Sequence, residues 1–114
     1  MNDCLFCKIV KNQIPATKIH EDEHTIAFKD IHPQAPVHIL VIPKEHVAAV
    51  HEYAFGKFDA LTKVFEAVKA IVEKNELAKK GYRLVVNSGE NAGQAVPHLH
   101  VHILSGREMR WPPG

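Results

Sequence analysis

The segment Pro97-His98-Leu99-His100-Val101-His102-Ile103-Leu104 alternates imidazoles with apolar side chains at a period of two. Successive side chains of an extended strand leave on opposite faces, so this spacing predicts a β-strand. One face would carry Leu99, Val101 and Ile103 into a core. The other would carry His98, His100 and His102 in a row, neighbours about 7 Å apart along the strand. Such a row can bind phosphate, hold a metal ion or supply a nucleophile.

The remaining segments predict what that strand pairs with. Val37-His38-Ile39-Leu40-Val41-Ile42-Pro43 is a nearly continuous apolar, β-branched run closed by proline, which predicts a central strand with one histidine inside it. Tyr82 to Asn87 predicts a further strand, and Thr17 to Lys29 a hairpin turning at Glu21-Asp22-Glu23. Residues 4–14 place apolar groups at 5, 6, 9 and 10, which fits a short helix ended by Pro15. From Phe58 to Val72, positions 58, 61, 65, 68 and 72 follow three-and-four spacing, with Val64 and Ile71 widening the stripe, so one long amphipathic helix is expected there. Lys79-Lys80-Gly81 supplies the end of that helix or of a turn after it. Parallel crossovers need more helix than this, so the expected fold is α+β: an antiparallel sheet of about five strands covered on one face.

A chain of 114 residues fits one domain, 1–114, with a tail from about 105 to 114 that holds Trp111-Pro112-Pro113-Gly114. A formal net charge of +1 offers no basic field for a nucleic-acid polymer. No window approaches the roughly 18 apolar residues of a membrane span, and the N-terminus lacks a basic-then-apolar leader, so a cytoplasmic protein without a membrane role is expected. In a reducing compartment the Cys4-x-x-Cys7 pair points to metal or redox chemistry before a structural disulfide.

From the residues alone, two chemistries compete at the histidines. An HxH pair can share one ion, and Cys4 with Cys7 could complete a Cys₂His₂ zinc site. A neutral imidazole is also a competent nucleophile toward phosphorus, with flanking imidazoles contacting phosphate oxygens or moving protons. The second fits the surroundings better. No carboxylate lies within the histidine stretch, Gly89 and Gly93 can present backbone N–H groups to an anion, and Asn87 can reach the same place as a neutral donor. Lone histidines such as His38 are as often core residues as functional ones.

His98-Leu99-His100-Val101-His102-Ile103-Leu104 matches the His-φ-His-φ-His-φ-φ signature, φ being apolar, of the histidine triad (HIT) superfamily. Phe6-Cys7-Lys8-Ile9, Ile14-Pro15-Ala16, Asp30-Ile31 with Pro33-Gln34-Ala35-Pro36, Gly81-Tyr82-Arg83, Gly93-Gln94 and the terminal Trp-Pro-Pro-Gly resemble its Hint branch. The resemblance runs over nearly the whole chain.

It implies a homodimeric purine nucleoside phosphoramidase that cleaves the P–N bond of adenylated or guanylated amines and needs no cofactor for catalysis. By that resemblance His100 is the nucleophile, and His102 and His38 contact phosphate or orient it. Asp30 and the Ile31 backbone take the ribose. Leu5, Phe6, Ile9, Ile14 and Phe28 line the slot for the base. Asn87 and the backbone of Gly93, Gln94 and Ala95 sit by the phosphate. A hydrolase of dinucleoside polyphosphates, of the Fhit type, and a nucleotide-binding dimer acting through protein contacts are the alternatives. Hint relatives often carry serine where this chain has Ala95, which implies weaker turnover or a changed leaving-group preference. Relatives with an N-terminal CxxC bind structural zinc, and here the ligands would be Cys4, Cys7, His46 and His98.

Overall fold

The computed structural model describes residues 3–114. Five strands, β1 (Lys18–Glu21), β2 (Thr25–Lys29), β3 (Val37–Pro43), β4 (Tyr82–Val85) and β5 (Val101–Ser105), form one antiparallel sheet in the order β1-β2-β3-β5-β4. Two helices accompany it, α1 (Leu5–Val10) and α2 (Asp59–Lys74), with single 3₁₀ turns at Val50–Glu52, Leu77–Lys79 and Glu90–Ala92. No helix among the described residues is long and apolar enough to cross a membrane.

The pleat sorts the side chains. Ile39 and Val41 of β3 and Val101 and Ile103 of β5 pack with Val64, Ala67, Val68, Ile71 and Val72 of α2. Leu40 and Ile42, one residue out of phase, go to the other face and pack with Phe6 and Ile9 of α1. Both faces are therefore covered near the sheet centre, where cover on one face was expected. The α2 stripe also differs from the expected one. Phe58 and Phe65 are 37% and 43% exposed, because positions 64, 67, 68, 71 and 72 make a tighter face than one drawn through 58 and 65.

Helix α1 starts at Cys4, whose Sγ accepts from the Cys7 N–H at 3.5 Å. It ends before Pro15. Asn12 takes a left-handed φ of 59° and the Gln13 N–H closes on the Lys8 carbonyl at 2.8 Å. After α2 it is Glu76 that turns left-handed, at φ 55°, and Gly81 serves the turn that follows. Strand β4 stops at Val85, short of Asn87, and Ser105 belongs to β5, so the tail begins at Gly106.

The largest departure concerns the histidine strand. β5 begins only at Val101, so His98 and His100 precede it. Val41 opposite Val101 is the last register pair between β3 and β5. Beyond it the Leu99 N–H turns to the Val47 carbonyl at 2.7 Å and the His98 N–H to the Val96 carbonyl at 2.8 Å. Leu99, Val101 and Ile103 are buried as the alternation requires. The three imidazoles do not form one uniform row.

Candidate functional site

His98 is fully buried and faces the N-terminus of α1. Its Nε2 lies 2.8 Å from the Pro43 carbonyl, which can only accept, so Nε2 carries the hydrogen and Nδ1 keeps a lone pair. That Nδ1 lies 3.4 Å from Cys4 Sγ, 3.5 Å from Cys7 Sγ and 3.2 Å from His46 Nδ1, and Cys7 Sγ lies 3.3 Å from His46 Nδ1. Burial pushes the His98 imidazole below its ordinary value, against the opposing pull of the Pro43 carbonyl, and so favours the neutral ring a ligand requires. A zinc tetrahedron with two sulfur and two nitrogen ligands has edges of about 3.3–3.8 Å. The observed separations fall at or just inside those edges, so the donor set fits a closed four-ligand ion. The resemblance to zinc-binding relatives implied this set of residues, which is spread across nearly the whole chain, and the structure brings all four into one cluster.

His100 is buried, and its Nδ1 lies 2.7 Å from the carbonyl oxygen of His98. The nitrogen donates to the carbonyl, which leaves the lone pair of the neutral ring on Nε2. The Phe6 ring stands edge-on to it, centroids 5.0 Å apart, and the His102 ring is 4.9 Å away.

His102 on β5 and His38 on β3 are diagonal neighbours, since Leu40 pairs with His102 and His38 with Leu104. The Gln34 N–H donates to His38 Nδ1 at 3.0 Å, so the hydrogen of a neutral His38 sits on Nε2. That Nε2 lies 2.9 Å from His102 Nδ1 and 3.4 Å from Asp30 Oδ2. His102 accepts at Nδ1 and carries its own hydrogen on Nε2, a buried atom with no hydrogen-bond partner among the described residues. Burial, then the neighbouring rings of His100 and His38, push the His102 imidazole down to about 4, so it is neutral at pH 7. Burial also lowers His38, against the pull of the Asp30 carboxylate. The Gln34 amide argues against a metal ion at Asp30, His38 and His102, because it keeps the hydrogen on the nitrogen that would have to ligate.

A cleft of about 310 Å³ opens in front of these rings, and Leu5, Phe6, Ile9, Ile14, Phe28, Asp30, Ile31, Ala95, His100 and His102 line it. Pro15, Ala16, Lys29, His32, Leu40 and Val96 line it too and were not singled out as site residues. Leu40 was findable, since it shares the face of His38 one pleat along. Val96 and His32 carried no signal in the sequence. His38 stands behind the cleft wall, facing a second hollow with Asp30 and Pro36. Asn87, Gly93 and Gln94 do not line the cleft. The Gly93 N–H is used on the Glu90 carbonyl at 3.0 Å and the Gln94 N–H on the Gly89 carbonyl at 3.1 Å. The Gln94 side chain ties its loop down, donating to the Ala48 carbonyl at 2.7 Å. Of Gly93, Gln94 and Ala95, only Ala95 lines the cleft. A larger hollow of about 550 Å³ near Glu45, Tyr53 and Lys57 holds none of His38, His100 and His102, and chemistry, not size, selects the smaller one.

A family model described as the HIT domain matches residues 11–109. A 14 kDa zinc-binding protein of Zea mays is 44% identical over 112 residues, covering 96% of this chain and 87% of that one. An adenylylsulfatase HINT1 of Arabidopsis thaliana is 40% identical over 112 residues, covering 96% of this chain and 76% of the other. The crystal structure of a HIT family hydrolase from Legionella pneumophila superposes with a TM-score of 0.94 at 45% identity, covering 98% of this chain and all of that one. The chain belongs to the HIT family. Its likeness to solved HIT family hydrolases supports hydrolytic chemistry in general.

Proposed function

We propose that the protein hydrolyses the P–N bond of purine nucleoside 5′-phosphoramidates through a nucleotidyl intermediate on His100. The observation that carries this reading is the hydrogen bond from His100 Nδ1 to the His98 carbonyl at 2.7 Å, which turns the lone pair of Nε2 into the nucleophile. Nε2 attacks the α-phosphorus, the P–N bond breaks and the amine departs. Water then attacks phosphorus, the P–Nε2 bond breaks, and the nucleoside monophosphate leaves with His100 restored.

The other groups support the same two steps. The unpartnered Nε2–H of His102 is a preorganised donor for a non-bridging phosphate oxygen. A neutral imidazole is a poor acid, so His102 stabilises charge, and with alanine at 95 the departing amine takes its proton from water. Leu5, Phe6, Ile9, Ile14 and Phe28 give an apolar slot for a purine, and Asp30 a carboxylate for the ribose hydroxyls. The zinc-binding name of the maize relative supports zinc at Cys4, Cys7, His46 and His98. Cys4, Cys7, His46 and His98 would be the four ligands of such an ion, whose contribution there would be structural and not that of a reactant. A cytoplasmic location accords with this use of two thiols.

A homodimer belongs to this reading. β4 is an edge strand, and Tyr82 and Leu84 are exposed on it, as is Val86 just past its end, while Phe65 is exposed on α2. Bare apolar groups along an unpaired strand favour a second copy of the chain as their cover.

The name of the Arabidopsis relative favours a second substrate with the same adenylyl group, an adenylylated sulfate whose P–O bond would break in place of P–N. Incubation with adenosine 5′-phosphoramidate and with adenylylsulfate, following AMP release, tests both. Faster release from the phosphoramidate, with ribonucleosides preferred over 2′-deoxyribonucleosides, is expected. No AMP from the phosphoramidate would overturn the proposal.

A further inference from the structure

His100 lies just beyond the end of the β3–β5 ladder, so no strand partner holds it. What holds it is the carbonyl of His98, and what holds His98 is the Cys4–Cys7–His46 cluster on one side and the Pro43 carbonyl on the other. The same cluster sits at the first turn of α1, where Cys4 Sγ caps the Cys7 amide. One residue into that helix, Phe6 touches both rings, with centroids 5.9 Å from His98 and 5.0 Å from His100, and with Leu5 and Ile9 it lines the cleft. The backbone ties the remaining ligand to the same place, because the Leu99 N–H bonds the carbonyl of Val47, the residue after His46.

We propose that Cys4, Cys7 and His46 are positioning residues for the active site: metal held by them and His98 fixes the His98 carbonyl, hence the Nδ1–H tautomer of His100, and seats α1 against the nucleotide. A purely structural metal would stabilise the fold and leave those two properties alone. The proposal rests on the reading of the Cys₂His₂ cluster as a metal site and of the cleft as a nucleotide site.

The test uses the purified full chain, with metal content measured first. Zinc is then removed with a high-affinity chelator well below the melting temperature. AMP affinity is read by calorimetry, and the ring nitrogens of His100 are read by ¹⁵N NMR. Expected are about one zinc per chain, AMP binding weaker by about tenfold after removal, and a His100 signal moving from a fixed Nδ1–H form toward a mixture, both restored by zinc. Should chelation unfold the protein, His46→Ala and His46→Cys serve instead, since the His46 side chain is exposed. His46→Cys keeps four ligands and is expected to retain AMP affinity and the His100 signal, and His46→Ala to lose both in part. A protein that holds no metal, natively or on zinc addition, overturns the metal reading and the proposal with it. Zinc that binds and can be removed with AMP affinity and the His100 signal unchanged overturns the positioning role alone. AMP that fails to bind even the zinc-loaded protein overturns the nucleotide reading and, with it, the proposal.

Discussion

His38 Nε2 and His102 Nδ1 lie 2.9 Å apart, and the Gln34 amide behind His38 decides which of the two donates. Because a backbone N–H cannot give up its hydrogen bond by changing protonation state, the pair has one direction at neutral pH. His102 therefore carries its hydrogen on Nε2, a buried atom of a side chain that lines the cleft.

If that N–H is a phosphate donor, His102→Ala lowers kcat on adenosine 5′-phosphoramidate by about 10²–10³-fold. His38→Ala, which removes only the residue orienting it, costs less, and the double variant is no worse than His102→Ala alone. Losses that multiply in the double variant would show that His38 acts independently.

The same burial makes stability depend on pH. His102 ionises near 6.5 in the unfolded chain and at about 4 in the folded one, so between those values the unfolded state binds more protons. The stabilisation is complete above pH 6.5 and drains away as pH falls toward 4. His38, also lowered, acts in the same direction. Thermal melting from pH 7 to pH 4.5 should show a falling Tm, with a shallower fall in His102→Gln. An equal slope in that variant would place the acid sensitivity elsewhere.

Much of the site was legible because its chemistry is local in sequence. The period-two alternation gave the burial of Leu99, Val101 and Ile103, and the CxxC gave one corner of the cluster. The distribution of the three imidazoles was not legible. It depends on where the β3–β5 ladder ends, and therefore on register with residues some 60 positions away. The Gln34 amide carried no signal either, because any residue there has an N–H and only the fold of the Pro33–Pro36 loop aims it. Phe65 misled for a related reason: three-and-four spacing admits two adjacent stripes on α2, and the sheet chooses between them.

Ala95 lines the cleft, and in the proposed reading a hydroxyl at that position would lie beside the departing group. Ala95→Ser is expected to raise turnover on amines that are poor leaving groups and to do little for good ones. Unchanged turnover across a series of amines would remove any role for this position in protonating the leaving group.

Leu84 is exposed on edge strand β4. In the dimer reading, Leu84→Glu puts a charge into the interface and shifts the chain toward monomer in sedimentation velocity at micromolar concentration. An unshifted dimer, or a monomeric parent protein, would contradict that interface.

The nucleotidyl-His100 intermediate is most directly tested by rapid mixing with an adenosine phosphoramidate radiolabelled at phosphorus, an alkaline quench within the first turnover, and peptide mapping of the label. The account predicts label on His100, absent from His100→Asn. Label on another residue, or AMP release in a first turnover with no protein-bound label at any time, would contradict it.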